Sequence, residues 1–238
     1  MTGTRRGPLL LILFAVLMSG AGNGISLVAF PWLVLQRNGS AVDASVVAMA
    51  ANLPLLVALL VAGAAVDYLG RRRVALISDA CSALSVAAVP ILVLLFGTQV
   101  LNVAVLAVLA GLGAFFDPAG ITARETMLPE AAADAGWTLD RANSVYEAVF
   151  NLAYIVGPGI GGLMIATLGG VNTMWVTTAA FGLSIAAVAA LRLEGAGTPD
   201  RAALPDGVWS GIVEGLRFVW RTPVLRTLAV VDLVATRS

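Results

Sequence analysis

Six long apolar runs occupy most of this sequence of 238 residues. About 20 apolar residues suffice for a helix to cross the hydrocarbon core of a bilayer, and each run is near or above that length. The runs are Leu9–Leu35, Ala44–Val66, Val74–Gly97, Val100–Phe116, a run inside Leu139–Thr167, and Asn172–Leu191. They predict an all-α polytopic membrane protein with six crossings, in which the polar stretch Asp117–Thr138 forms the longest loop.

The pattern divides the chain into three segments. Residues 1–194 are predicted to form a bundle of six transmembrane helices. Residues 195–222 predict a cytoplasmic linker with an amphipathic helix on the membrane surface, because apolar residues recur there at helical spacing. Residues 223–238 begin like a seventh transmembrane helix, but their apolar part is about 12 residues long where a crossing needs about 20. A truncated seventh helix is therefore predicted.

Composition narrows the classes of function. Apolar residues make up 59% of the chain, and its net charge is zero, so no basic excess is available to neutralise the phosphates of a nucleic acid. The chain has no histidine and one cysteine, which argues against a metal site built from those residues. A nucleophile elbow and a phosphate-binding loop are also absent. We therefore predict no catalytic residue, no metal and no cofactor.

The basic residues, all of them arginine, indicate the orientation. There are 14, and if the N-terminus is cytoplasmic only Arg37 falls in a loop on the opposite side, while Arg237 lies in the truncated seventh segment. Cytoplasmic loops carry the excess of positive charge in membrane proteins. The sequence thus predicts a cytoplasmic N-terminus and a location in the cytoplasmic, or inner, membrane.

An internal repeat indicates how the six helices are arranged. Residues 63–70 recur in part as residues 162–169, and residues 84–89 resemble residues 183–188, both at an offset of 99. Because an offset of this length contains three helices, the two copies have opposite orientations in the membrane. This predicts the inverted 3+3 arrangement found within the halves of many transporters.

The connection between the second and third runs carries the sharpest motif, G-x3-D-x2-G-R-R. Its residues are Gly63, Asp67, Gly70, Arg71 and Arg72. A tight turn with cytoplasmic arginines would explain the basic residues, but an aspartate at a helix C-terminus faces the negative end of the helix dipole and needs a partner. The loop resembles motif A of the major facilitator superfamily. The resemblance implies a conformational latch, in which Asp67 engages a helix of a second half and Arg71 pairs with Asp117.

A second motif lies in the fifth apolar run. It consists of Gly157, Pro158, Gly161 and Gly162. As packing alone, Gly157 and Gly161 would let another helix approach closely, and Pro158 would bend the helix. The spacing resembles motif C of the same superfamily, typical of exporters that exchange substrate for protons, although Ala153 stands where the first glycine belongs.

Three stretches around the fourth and fifth crossings extend the resemblance. Residues 115–119, 127–130 and 141–143 resemble the loop between those helices in macrolide-efflux-type members of the superfamily. With residues 28–35 and 214–220 they are most similar to the Tap-type multidrug efflux branch. Ala107 stands where another branch of drug–proton antiporters carries an arginine, so proton coupling is expected to use other residues.

Polar residues inside the apolar runs are candidates for proton or substrate binding, because such groups are costly in a membrane. The candidates are Asn23, Glu147, Asn151 and Tyr154. The last three share one face of the fifth helix, which is expected to point into the bundle. Glu147 is the main proton candidate, with hydration near the cytoplasm as the alternative. Asp79 is expected to pair with Arg72 or Arg73.

Together these features predict the N-terminal half of a major facilitator exporter. The resemblance implies proton-coupled efflux of drugs or other small amphipathic compounds by alternating access, with substrate bound near mid-membrane between two six-helix halves. The partners expected are the substrate, protons, the lipid bilayer and a missing C-terminal half. The alternative is a truncated half or fragment that does not transport. An enzyme is not expected.

Overall fold

The computed structural model describes residues 5–193, all of whose regular elements are helices. The predicted linker of residues 195–222 and the predicted seventh-helix segment of residues 223–238 lie outside the described residues. The helices are α1 (Gly7–Asn38), α2 (Ala41–Asn52), α3 (Leu55–Leu69), α4 (Arg71–Phe96), α5 (Val103–Asp134), α6 (Leu139–Leu168) and α7 (Gly170–Ala190), with a 3-10 turn at Thr98–Val100. Six segments within this part are long and apolar enough to cross a membrane, as the sequence predicts.

The second crossing is two helices, which corrects the prediction of one continuous run. Helix α2 ends at Asn52, α3 begins at Leu55, and the crossing-length segment Ala41–Leu59 includes the break. Pro54 has no N–H to donate to the carbonyl of Ala50, so the helical hydrogen-bond ladder is interrupted there. That carbonyl lies 3.0 Å from where a Cβ on Gly111 of α5 would be, and α5 approaches the break closely only because Gly111 has no side chain.

Helix α5 corrects a second prediction. The polar stretch Asp117–Thr138 was expected to be a loop, but α5 continues through it to Asp134. Met127, Leu128 and Ala131 are fully buried in this part of α5. Two of the polar groups that suggested a loop, Asp117 and Arg124, are accommodated because they have partners on other helices.

The helices pack mainly across the two predicted repeats. Helix α1 lies against α6 and α7, α4 lies against α5 and α7, and α5 also packs on α2 and α3. Because α2 and α3 together form the second crossing, α4 to α7 are crossings three to six. The first crossing therefore contacts the fifth and sixth, and the fourth crossing contacts the second and third. The first and fourth crossings are equivalent in the two repeats, and each contacts the second and third crossings of the other repeat. This symmetry is expected for an inverted repeat.

Candidate functional site: a polar cluster on a central cavity

A cavity of about 600 Å³ lies among the helices of the bundle. Its wall is mostly apolar and includes residues from α1 to α7, such as Leu27, Phe30 and Phe181. Asn23, Asp117 and Tyr154 lie together on this wall, each near the midpoint of its helix. A mostly apolar cavity with a few convergent polar groups is the usual form of a small-molecule site.

The three polar residues form one hydrogen-bonded cluster. The Asn23 amide Nδ2 donates to Oδ1 of Asp117, and the Tyr154 hydroxyl donates to Oδ2 at 3.2 Å. Both carboxylate oxygens therefore accept a hydrogen bond from a neutral side chain. Asn23 and Tyr154 were predicted as site candidates, and the structure brings them together around Asp117.

Close packing of α1 on α6 places Asn23 beside Tyr154. We call the contact residues the glycine seam; they are Gly20 and Gly24 of α1 with Ala153, Gly157 and Gly161 of α6. A Cβ on Gly24 would lie 3.0 Å from Cα of Gly157, and one on Gly161 would lie 3.1 Å from Cα of Ile25. The close approach expected from Gly157 and Gly161 is thus observed, with α1 as the partner helix. Gly162 has no neighbour among the described residues within 4 Å of its would-be Cβ and lies on the exposed side of α6.

The position of Asp117 corrects the ion pair implied by the resemblance to motif A. Asp117 lies on the cavity wall in the middle of α5, rather than at the cytoplasmic end of the fourth crossing. Its carboxylate contacts Asn23 and Tyr154, and no ion pair joins it to Arg71. The prediction failed because it placed the end of the fourth helix at Phe116, while α5 continues for more than four further turns.

A second polar network, fully buried, lies nearby and was missed by the sequence analysis. Arg124 Nη1 of α5 donates to both carboxylate oxygens of Asp79 on α4, at 3.0 and 3.1 Å. Ser19 of α1 donates to Oδ1 of Asp79 at 2.9 Å, and Ser184 of α7 donates to Oδ2 at 2.6 Å. Arg124 Nη2 also donates to Ser19. Four crossings are therefore tied together at one buried ion pair.

Asp79 therefore does not pair with Arg72 or Arg73, contrary to the prediction. It is 1% exposed and faces the core. One signal in the sequence could have indicated this: Ser78, Ser82 and Ser85 recur at helical spacing and give the third run a polar stripe. All three are buried against α5, where Ser78 donates to the carbonyl of Phe116 at 2.7 Å.

Motif A lies at the end of the bundle that carries Arg5 and Asp134. Gly70 joins α3 to α4 with a φ of +87°, a conformation that L residues rarely adopt. Arg72 donates from Nε to the carbonyl of Val188 at 3.2 Å and from Nη2 to that of Ala189, so its charge covers the C-terminus of α7. Asp67 is exposed, and its side chain makes no hydrogen bond or ion pair with residues 5–193. Gly63 is exposed as well.

The predicted polar face of the fifth crossing does not point into this six-helix bundle. Asn143, Glu147 and Asn151 of α6 are exposed, and Tyr154 alone of that face reaches the cavity. Asn151 donates to the backbone carbonyl of Glu147 at 2.8 Å. The negative charge of Glu147 repels that of Glu125 on α5. Glu125 lies on the cavity wall.

A comparison with known families decides the classification. The profile of the Major Facilitator Superfamily matches residues 12–236, almost the whole chain. The chain belongs to the major facilitator superfamily. The helical bundle, the inverted repeat and the two superfamily motifs agree with this membership, and the protein is a multi-pass membrane protein.

Individual members of the superfamily are similar over nearly the full chain. The multidrug efflux pump Tap of Mycolicibacterium fortuitum is 79% identical over 236 residues, which is 99% of this chain and 58% of that protein. The pump of the same name from Mycobacterium tuberculosis is 64% identical over 99% of this chain. An uncharacterized MFS-type transporter of Bacillus subtilis is 29% identical over 92%. The chain spans 51–58% of the length of these relatives.

Proposed function

We propose that this chain supplies one half of a proton-coupled exporter of drugs or other small amphipathic compounds. The observation that carries the proposal is the central cavity of about 600 Å³, whose apolar wall bears the polar cluster of Asn23, Asp117 and Tyr154. An apolar wall accepts the hydrophobic part of a small molecule, while a few polar groups fix its orientation. The names of the similar multidrug efflux pumps support export as the direction.

The second half of the transporter is proposed to complete the cavity. The exposed residues Asn143, Glu147 and Asn151 form a polar surface on α6, which suits a partner bundle or a water-filled cavity better than lipid. In alternating access the two halves rock about the bound substrate. Asp67 is exposed at the C-terminus of α3, and we propose that it engages the partner half as a latch.

The distribution of arginine supports a cytoplasmic N-terminus in the inner membrane. With that orientation Arg5, Asp67, Arg72 and Asp134 lie at the cytoplasmic end, and Arg37 lies at the outer end. Glu147 remains a candidate for the proton-coupling group on this orientation, since it lies between the cytoplasmic end of α6 and the cavity.

The test is transport by a chimera in which this chain replaces the matching part of the Mycolicibacterium fortuitum relative, called here the Tap chimera. Inside-out vesicles with an imposed proton gradient should accumulate amphipathic compounds from a panel of cationic, neutral and anionic probes. Collapse of the gradient with a protonophore should abolish the accumulation. Absence of gradient-dependent accumulation for every probe would contradict the proposal.

The 238-residue chain alone provides the companion measurement. It should not accumulate any of the probes in proteoliposomes, because the cavity walls of the second half are then missing. Gradient-dependent accumulation by the chain alone, lost on Asp67→Asn, would instead establish a half-size transporter.

A further inference from the structure

The charges inside the bundle, two of them buried and one on the cavity wall, do not cancel. Arg124 and Asp79 neutralise each other, with two hydrogen bonds between them and both side chains at most 3% exposed. Among residues 5–193, Asp117 has only the neutral hydrogen-bond donors Asn23 and Tyr154. An unpaired carboxylate inside a membrane protein is costly unless a proton or a cation neutralises it. The geometry of the described residues therefore leaves one negative charge on the cavity wall without an ion-pair partner among them.

The groups that face Asp117 come from four helices. On α5, Arg124 attracts it across two turns, but the guanidinium hydrogen bonds go to Asp79 and Ser19. On α4, the charge of Asp79 repels it weakly. From α1 it meets Asn23 and from α6 Tyr154, neither of which is charged.

The remainder of the cavity wall adds no basic residue from the described part of the chain, residues 5–193. Helices α2, α3 and α7 contribute Asn52, apolar side chains and Phe181. Glu125 adds a further acid about 12 Å along α5 from Asp117, towards the end that holds Asp134. Glu147 of α6 has the same charge as Glu125 and repels it. Among the described residues, the cavity wall therefore carries two acidic side chains and no basic one.

We propose that Asp117 is the site at which a proton and the cationic group of an amphipathic substrate compete. The inference rests on the proposed export function and specifies its coupling residue and substrate class. With the carboxylate ionised, the cavity offers a negative charge beside an apolar wall, which fits an organic cation. With the carboxylate protonated, the charge is gone and the cation is released. Asp117 thus takes the coupling role that the sequence analysis gave to Glu147.

Tyr154 links the protonation of Asp117 to the direction of a hydroxyl group on the cavity wall. In the ionised state its O–H donates to Oδ2 of Asp117. When a hydronium ion gives its proton to Oδ2 and leaves as water, the new O–H becomes a donor and the Tyr154 oxygen an acceptor, so the hydrogen bond reverses. The Tyr154 hydroxyl hydrogen then no longer points to Asp117. Proton loss to water restores the first arrangement.

Proton release on binding of a cation tests the proposal in the Tap chimera. The probe is tetraphenylphosphonium, a permanent organic cation, added to detergent-solubilised protein in weakly buffered solution with a pH-sensitive dye. About half a proton should be released per bound cation at the pH where Asp117 is half protonated, and the release should rise towards one proton at lower pH, where the free carboxyl is mostly protonated. Asp117→Asn should release none and bind the cation about 10- to 100-fold more weakly. Triphenylphosphine oxide, a neutral analogue, should release no proton from either protein.

Asp134→Asn is the matched control, because it makes the same change of charge at an exposed position on the same helix. It should release protons like the parent chimera. Infrared difference spectra of the 238-residue chain between acid and neutral pH give a measurement independent of any substrate. The carbonyl band of one protonated carboxyl should be lost in Asp117→Asn and shifted in frequency in Tyr154→Phe, which loses the hydrogen-bond partner but keeps the acid.

Several results would overturn the proposal. The first is persistence of the carboxyl band in Asp117→Asn, and the second is proton release by that variant equal to that of the parent chimera. The third is failure of the parent chimera to bind the cation. The fourth is loss of proton release in Glu147→Gln while Asp117→Asn retains it. Failure of the export proposal is distinguishable. Transport of the neutral probe without binding of the cation would contradict the role of Asp117 and support the export function. Cation-linked proton release without any transport would contradict the export function and support the role of Asp117.

Discussion

Breaking the buried ion pair of Arg124 and Asp79 should be the most destabilising polar change in the described part of the chain. In Arg124→Met, Asp79 keeps only the hydroxyl donors Ser19 and Ser184, so its charge is left buried and unpaired. Removing one partner of a buried pair costs about 3–5 kcal/mol. Asp79→Leu should cost a similar amount, because it leaves the Arg124 charge buried instead.

The double variant should be more stable than either single variant. Replacing both charges by apolar side chains of similar size is often close to neutral. Here Ser19 loses both of its partners, Asp79 and Arg124, while Ser184 still lies 3.1 Å from the carbonyl of Ala15. One unsatisfied buried hydroxyl costs about 1–3 kcal/mol. The double variant should therefore lie about 1–3 kcal/mol below the parent chain, although the single losses together amount to about 6–10 kcal/mol.

Unfolding of the purified chain by titration of dodecyl sulfate into mixed micelles, followed by circular dichroism, measures these differences. Arg73→Met is the matched control, because Arg73 is exposed at the start of the same helix as Asp79, and it should change the stability by less than about 0.5 kcal/mol. If the double variant loses as much as the two single variants combined, the two side chains do not act as a pair and the reasoning is wrong.

The glycine seam, Arg72 and Asp67 each give a further prediction. Gly157→Val should destabilise the chain by about 1–3 kcal/mol in the same titration, because its side chain meets the α1 backbone; Gly162→Val, in open space, should not, and equal effects would refute the seam. Arg72→Gln should cost about 0.5–2 kcal/mol through loss of its bonds to the end of α7, and the exposed Arg73→Gln should cost nothing measurable. Asp67→Asn should strongly reduce accumulation by the Tap chimera at equal membrane abundance; unchanged accumulation would argue against the latch.

The crossings were predictable because their signal is local. Length and apolarity of each run determine whether a helix can span a bilayer, and the structure has six such segments among residues 5–193. The failure at Asp117–Thr138 has the opposite cause. Asp117 and Arg124 looked like loop residues because their partners, Asn23 and Asp79, lie on other helices and far away in sequence.

The same reasoning applies to the site. Asn23 and Tyr154 could be selected from the sequence as polar groups inside apolar runs, but their shared contact with Asp117 depends on how closely α1 approaches α6. The sequence left two interpretations of Glu147 open, a group inside the bundle and a hydrated one, because helical spacing tells which residues share a face and not which neighbour that face meets; in the structure it is exposed.

The glycine seam also limits how this sequence can vary. In an ordinary core, a residue that becomes larger can be compensated by a neighbour that becomes smaller, since total volume is what the core must keep. At the contact of Gly24 with Gly157, both positions already lack a side chain and the backbones themselves touch. Neither glycine has a side chain that could become smaller, so no substitution on the facing helix can make room for a larger residue here. A larger residue is therefore excluded at both positions, whatever residue occupies the facing one.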